Sequence, residues 1–203
     1  MNTDLKITEQ PRIRRAVSAR TGNRTLVRIL GAMSFAAAVA AGANIAVPLP
    51  GTPVPLTLQT FCVLLAGVAL GPTWGMISMG IYILLGTVGC HAFAGGETGW
   101  VMLCGASGGY LIGFVLAQPA LGQLTRATRS SLGCLVLAFL LGDAILFACG
   151  LLWLRAWTAW NWQQTLVAGL WPFLPGEVLK IVAAVVVGRW IRRLSLRENI
   201  VAI

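Results

Sequence analysis

Charge is scarce in this chain. Lys, Arg, Asp and Glu make up 10% of its 203 residues, and six of those residues are acidic. There is one histidine, His91, and the five cysteines (Cys62, Cys90, Cys104, Cys134 and Cys149) form no C-x-x-C pair. Zinc and dithiol sites need closely spaced ligands, so no metal or redox centre is expected. No G-x-x-x-x-G-K-[ST] occurs, which excludes a phosphate-cradling loop and an ATPase of the chain's own. A lone histidine also removes most hydrolytic schemes, and no protease dyad is present. The sequence therefore implies no catalytic residues, no cofactor and no enzyme.

What the chain has instead is apolar length. Hydrophobic residues make up 57% of it and the mean hydropathy is +0.81, with short loops that leave no room for a separate soluble domain. A net charge of +9 would suggest nucleic acid in a soluble protein. Here every Lys and Arg except Arg155 and Lys180 falls on one side of an alternating helix pattern, thirteen of fifteen in all. The positive-inside rule explains that distribution, with the lipid bilayer as the partner and no role for nucleic acid. The fold expected is an all-α membrane protein of six transmembrane helices with both termini cytoplasmic. Residues 1–28 form a basic cytoplasmic arm, 29–193 the six-helix membrane domain and 194–203 a cytoplasmic tail. The first part of the arm is expected to be disordered, with an amphipathic surface helix as the alternative. The helices are placed at Leu26–Val47, Leu56–Leu70, Thr73–Val88, Tyr110–Leu124, Leu132–Leu154 and from Gly176 to the Arg189–Arg193 cluster. Gly71-Pro72 is read as a tight cytoplasmic turn.

The stretch from Trp171 to Gly188 carries the most information. It sets Glu177 and Lys180 inside an apolar run, three residues apart and so on one helix face. Ionisable groups within a membrane segment mark ligand or ion pathways unless they only close the bundle. Pro172, Pro175 and Gly176 delay the helix start, so Trp171–Pro175 is expected as irregular backbone at membrane depth, tolerated where it lines a cavity. Thr57 and Gln59 open the second helix with polar groups that suit the same cavity. The glycine-rich connection from His91 to Gly109 reads as a lid. In the first helix, Ala32, Ala36 and Ala40 recur every four residues. Such a row serves equally for packing within the bundle and for docking another membrane subunit. Together these features describe a small-molecule binder or carrier. Asp143, in the middle of the fifth helix, supports a second reading, a solitary or oligomeric proton-coupled carrier of small carboxylates or vitamins.

Five segments resemble one known family. They are residues 47–61 (Val-Pro-Leu-Pro-Gly-Thr-Pro-Val-Pro-Leu-Thr-Leu-Gln-Thr-Phe), 64–72 (Leu-Leu-Ala-Gly-Val-Ala-Leu-Gly-Pro), 92–96 (Ala-Phe-Ala-Gly-Gly), 108–114 (Gly-Gly-Tyr-Leu-Ile-Gly-Phe) and 172–180 (Pro-Phe-Leu-Pro-Gly-Glu-Val-Leu-Lys). In that order they are similar to the BioY family, the biotin-binding S components of energy-coupling factor transporters, over roughly residues 30–190. The resemblance implies a substrate-capture subunit of the cytoplasmic membrane that takes biotin from the outer side, under the lid. It also implies a transmembrane coupling (T) subunit and ABC-type ATPase subunits as partners, docked through the Ala32/Ala36/Ala40 row. A homo-oligomer is compatible as well. Lys180 becomes the candidate cation for the biotin carboxylate and Glu177 the acceptor for its ureido N–H groups. Glu177 stands where the family usually has Asp. Phe93, Tyr82 and Trp100 are candidates for the aromatic wall, and Gln59, Gly95 and Gly96 complete the expected binding set.

Overall fold

The structure, a computed structural model, describes residues 5–127 and 131–198, with side chains described for 24–126 and 131–191. Seven α-helices carry the fold: α1 (Leu5–Asn44), α2 (Gln59–Thr87), α3 (Trp100–Cys104), α4 (Gly108–Ala127), α5 (Leu132–Thr158), α6 (Trp162–Gly169) and α7 (Leu174–Glu198). Strands β1 (Ala46–Val47) and β2 (Leu56–Thr57) pair antiparallel. The side chains of Lys6, Arg12, Arg14, Arg15, Arg20, Arg129, Arg192, Arg193 and Arg197 lie outside the described residues, as do positions 199–203 of the tail.

The first helix differs from expectation at both ends. Its backbone is helical from Leu5, where disorder was expected, because adding residues to an existing helix costs far less than starting one. It stops at Asn44, whose side-chain amide donates to the Ala40 carbonyl at 2.9 Å. Ala46–Val47 then pairs with Leu56–Thr57, so the proline-rich segment between them becomes the loop of a short hairpin. The second apolar helix consequently begins at Gln59 and not at Leu56.

α2 is a hairpin of two helical arms. Its one non-helical residue is Gly71 (φ 78°, ψ −178°), followed by Pro72. That backbone region is essentially restricted to glycine. A straight helix would hold Gln59 and Tyr82 about 35 Å apart, yet their side chains are hydrogen-bonded. The turn seen in the sequence therefore does fold the two arms back on each other. Arg126, at the end of α4, lies over Gly71.

α4 and α5 run antiparallel and in close contact. A Cβ at Gly113 would sit 2.9 Å from the Leu146 Cα, and one at Gly109 would sit 2.2 Å from the Trp153 Cβ. Only glycine permits that approach, so the 108–109 pair is a packing device. By length and apolarity Arg24–Asn44, Gln59–Thr87 and Leu132–Thr158 qualify as membrane spans, and α6 with α7 forms a broken span bent by 49°. Among the described residues three helices, or four with the bent α6–α7 pair, are thus long and apolar enough to cross a membrane, within the all-α architecture that was expected.

α6 was not anticipated. Asn161 caps it by accepting from the Gln164 N–H at 2.9 Å, while the Gln164 side chain accepts from the Asn161 N–H at 3.2 Å. This reciprocal capping box starts a helix inside the tryptophan-rich stretch. The irregular segment at membrane depth is correspondingly shorter than Trp171–Pro175, since α7 already begins at Leu174.

Candidate functional site

The site is built at the start of α7. Its first turn is anchored by the Glu177 N–H, which donates to the Phe173 carbonyl at 2.9 Å. One turn on, Lys180 Nζ lies 2.7 Å from Glu177 Oε1. Facing them from the first arm of α2, the Thr60 hydroxyl donates to Glu177 Oε2 at 2.9 Å and accepts from Lys180 Nζ at 2.9 Å. Glu177 is 3% exposed. A buried pair of this kind is tolerated only when its hydrogen bonds are well made. An ammonium has three donors; two of those on Lys180 go to Glu177 and Thr60, which leaves one for a ligand.

The pair opens into a cavity of about 550 Å³, including its mouth, at the end of the molecule opposite the Gly71 turn. Gln59 also lines it, held by two bonds: its amide donates to the Tyr82 hydroxyl, and its carbonyl accepts from Thr57 at 3.0 Å. The walls are aromatic. Tyr110 and Phe147 meet edge to face with centroids 5.9 Å apart, and Phe147 lies 6.2 Å from Phe173. Phe93 enters from the loop after α2, with its ring against Tyr82 at 5.8 Å and 86°. A site whose cation, carboxylate and hydroxyl lie together among aromatic walls suits a small amphipathic molecule with a polar end and an apolar body.

Of the eight binding candidates, Glu177, Lys180, Gln59 and Phe93 line the cavity. Tyr82 does not. It is fully buried behind the wall, where it holds Gln59 and Phe93 in place. Trp100, at the start of the short α3, does not line the cavity and is 67% exposed. Gly95 (φ 71°) and Gly96 (φ 79°) shape the loop turn that delivers Phe93 and do not line the cavity.

The docking assignment of the alanine row is corrected too. Ala32 and Ala36 have no exposed surface and Ala40 is half-buried. The Ser78 hydroxyl, on the second arm of α2, donates to the Ala32 carbonyl at 2.7 Å. Small side chains here let α1 press against α2, so the row faces inward.

Sequence reasoning missed Thr60, Tyr110, Phe114, Phe147 and Phe173. Thr60 had a readable signal, since it follows Gln59 and lies three residues after Thr57. Tyr110, Phe114 and Phe173 fall within the family-like segments 108–114 and 172–180, which was their signal, whereas Phe147 on α5 had none.

Fold and site together define a multi-pass membrane protein with an open-mouthed pocket lined by a buried polar cluster and aromatic rings. The profile of the BioY family matches residues 14–197. The chain belongs to the BioY family. It is 35% identical to a probable biotin transporter BioY of Pyrococcus horikoshii, over 75% of this chain and 88% of that relative. It is 31% identical to the biotin transporter BioY of Thermotoga maritima, over 84% of this chain and 99% of that relative. The crystal structure of the S-component for biotin from an ECF-type ABC transporter superposes with a TM-score of 0.76 at 28% identity, covering 85% of this chain and 92% of that one.

Proposed function

We propose that this protein is the biotin-capturing subunit of an uptake system and not an enzyme. It resides in the cytoplasmic membrane and takes biotin at the outer side. A transmembrane coupling subunit with ABC-type ATPases then drives delivery inward. The observation that carries the reading is the buried Glu177–Lys180–Thr60 cluster opening into an aromatic-walled cavity. Its free Lys180 donor suits the biotin carboxylate, and Glu177 suits the ureido N–H groups. Biotin itself enters as the transported ligand and not as a cofactor. Family membership and the fold shared with a biotin S-component support the same assignment.

Purification of the full chain from cells expressing the whole system, followed by assay for bound biotin and co-purified ATPase subunits, tests it. The reading predicts both. Protein that neither retains nor rebinds biotin overturns the ligand. Biotin-loaded protein that takes up biotin into proteoliposomes under a pH gradient, without any ATPase, replaces the coupled mode with the proton-driven carrier. That second mode is favoured by one observation, a carboxyl buried at Asp143.

A further inference from the structure

Asp143 takes no part in the hydrogen-bonded cluster of Glu177, Lys180 and Thr60. It lies on α5 one turn beyond Leu146 and Phe147, which line the cavity, and on the same face, so it sits beneath the cavity floor. It is 8% exposed, and its Oδ1 has no hydrogen-bond partner among the described residues. Glu177 and Lys180, both from α7, act on it electrostatically.

The other ionisable groups on the elements packed around it are few. The first arm of α2 has Cys62 and the second Tyr82. α4 has Tyr110 at the cavity and Arg126 at its far end, and α7 has Arg189 three turns beyond Glu177. α6 has none, and α5 itself adds Cys134, Cys149 and Arg155 at a distance along its length. Beside the Glu177–Lys180–Thr60 cluster the Asp143 carboxyl is thus a second acid near a single ammonium. A ligand carboxylate at Lys180 would add a third acid to that one cation. A like charge brought close to a carboxylate favours its protonated form, so the anion draws a positive charge in with it. A metal cation needs several oxygens, and among the described residues no group of three or more candidate ligands exists. A proton needs only one free oxygen, and Asp143 Oδ1 offers it.

We infer that Asp143 is a proton-binding site linked to the cavity above it, so that capture of an anionic ligand is accompanied by uptake of a proton at Asp143. The inference rests on the reading that the ligand is a carboxylate. It adds that the ligand enters as a neutral pair of anion and proton. The linkage also opposes binding as pH rises: where one proton is taken up per ligand, affinity falls about tenfold per pH unit.

Calorimetry on the detergent-solubilised full chain measures this directly. Biotin is titrated at one pH in phosphate, imidazole and Tris, whose different protonation heats report the proton count. The expected result is up to one proton taken up per biotin, none for biotin amide, and an affinity for biotin that falls as pH rises, by up to about tenfold per unit. Asp143→Asn should still bind biotin, with the proton count near zero and the pH dependence flattened. Buffer-independent heats for biotin with the wild-type chain overturn the inference without recourse to any variant. Proton uptake that persists in Asp143→Asn moves the site to Glu177 and overturns it too. An affinity that follows sodium concentration and ignores pH does the same. Failure to bind biotin at all would instead strike the ligand assignment, so the two failures are distinguishable.

Discussion

Replacing Lys180 with Met removes the ammonium while keeping most of the apolar stem. The substitution breaks a 2.7 Å ion pair with Glu177. At an effective dielectric near 20 the gross Coulomb energy of such a pair is about 6 kcal/mol. Desolvation offsets much of that in the intact protein. The variant keeps the desolvation cost of Glu177 without the compensating cation, because Thr60 alone remains as partner. Breaking a buried pair this way costs about 3–5 kcal/mol. Lys180→Met should therefore melt well below the wild type in detergent. Glu177→Gln combined with Lys180→Met should recover most of the loss, since the orphaned charge is then gone. Ligand affinity makes a second readout. Truncating one member of a buried charged contact costs about 2–5 kcal/mol, roughly 30-fold to several-thousand-fold in Kd. That penalty should fall on biotin, whose carboxylate meets the free Lys180 donor, and largely spare biotin amide. Equal losses for acid and amide would refute Lys180 as the anion anchor. An unchanged melting curve would refute the electrostatic account of the pair.

Three further substitutions separate other parts of the structure. Ala36→Trp places an indole where no surface is exposed, an overpacking that costs about 1–3 kcal/mol or more; biotin binding and melting temperature should fall together, and loss of subunit assembly with both intact would instead restore the docking role. Gly71→Ala forces a side chain into a glycine-only backbone region at φ 78°, which should cost about 1–3 kcal/mol in unfolding measurements; an unchanged stability would mean the turn relaxes. Thr60→Val keeps shape but removes the hydroxyl that joins Glu177 to Lys180, which should cost about 1–3 kcal/mol of stability and weaken biotin and biotin amide alike.

The sequence made the helices legible because lipid enforces long apolar runs, and it made the turn at Gly71 legible because few residue pairs break a run so abruptly. Glu177 and Lys180 stood out for the opposite reason: charge in such a background is conspicuous. Orientation around a helix axis was not legible. The alanine row looked equally suited to either face, and the burial of Ala32 and Ala36 with the Ser78–Ala32 hydrogen bond shows that it turns inward. Trp100 lies outside the cavity lining, and an indole in a glycine-rich loop reads as a wall and equally as an exposed side chain. Tyr82 was found for its chemistry but sits one layer behind the surface it supports, a distinction that depends on how the arms of α2 fold back.

The hairpin in α2 has a consequence for the surrounding bilayer. Its arms, Gln59–Leu70 and Pro72–Thr87, are about 18 and 24 Å long, against about 40 Å for the 27 residues of α5. A hydrocarbon core near 30 Å thick matches neither side. Beside the short arms the acyl chains must compress, while α5 has length to spare and accommodates by tilting. Mismatch of this kind costs fractions of a kcal/mol per Å, and here it is unequal around the perimeter. Lipid chain length thus becomes a mechanical variable for this protein, with short-chain membranes relieving the strain on one flank and long-chain membranes concentrating it there.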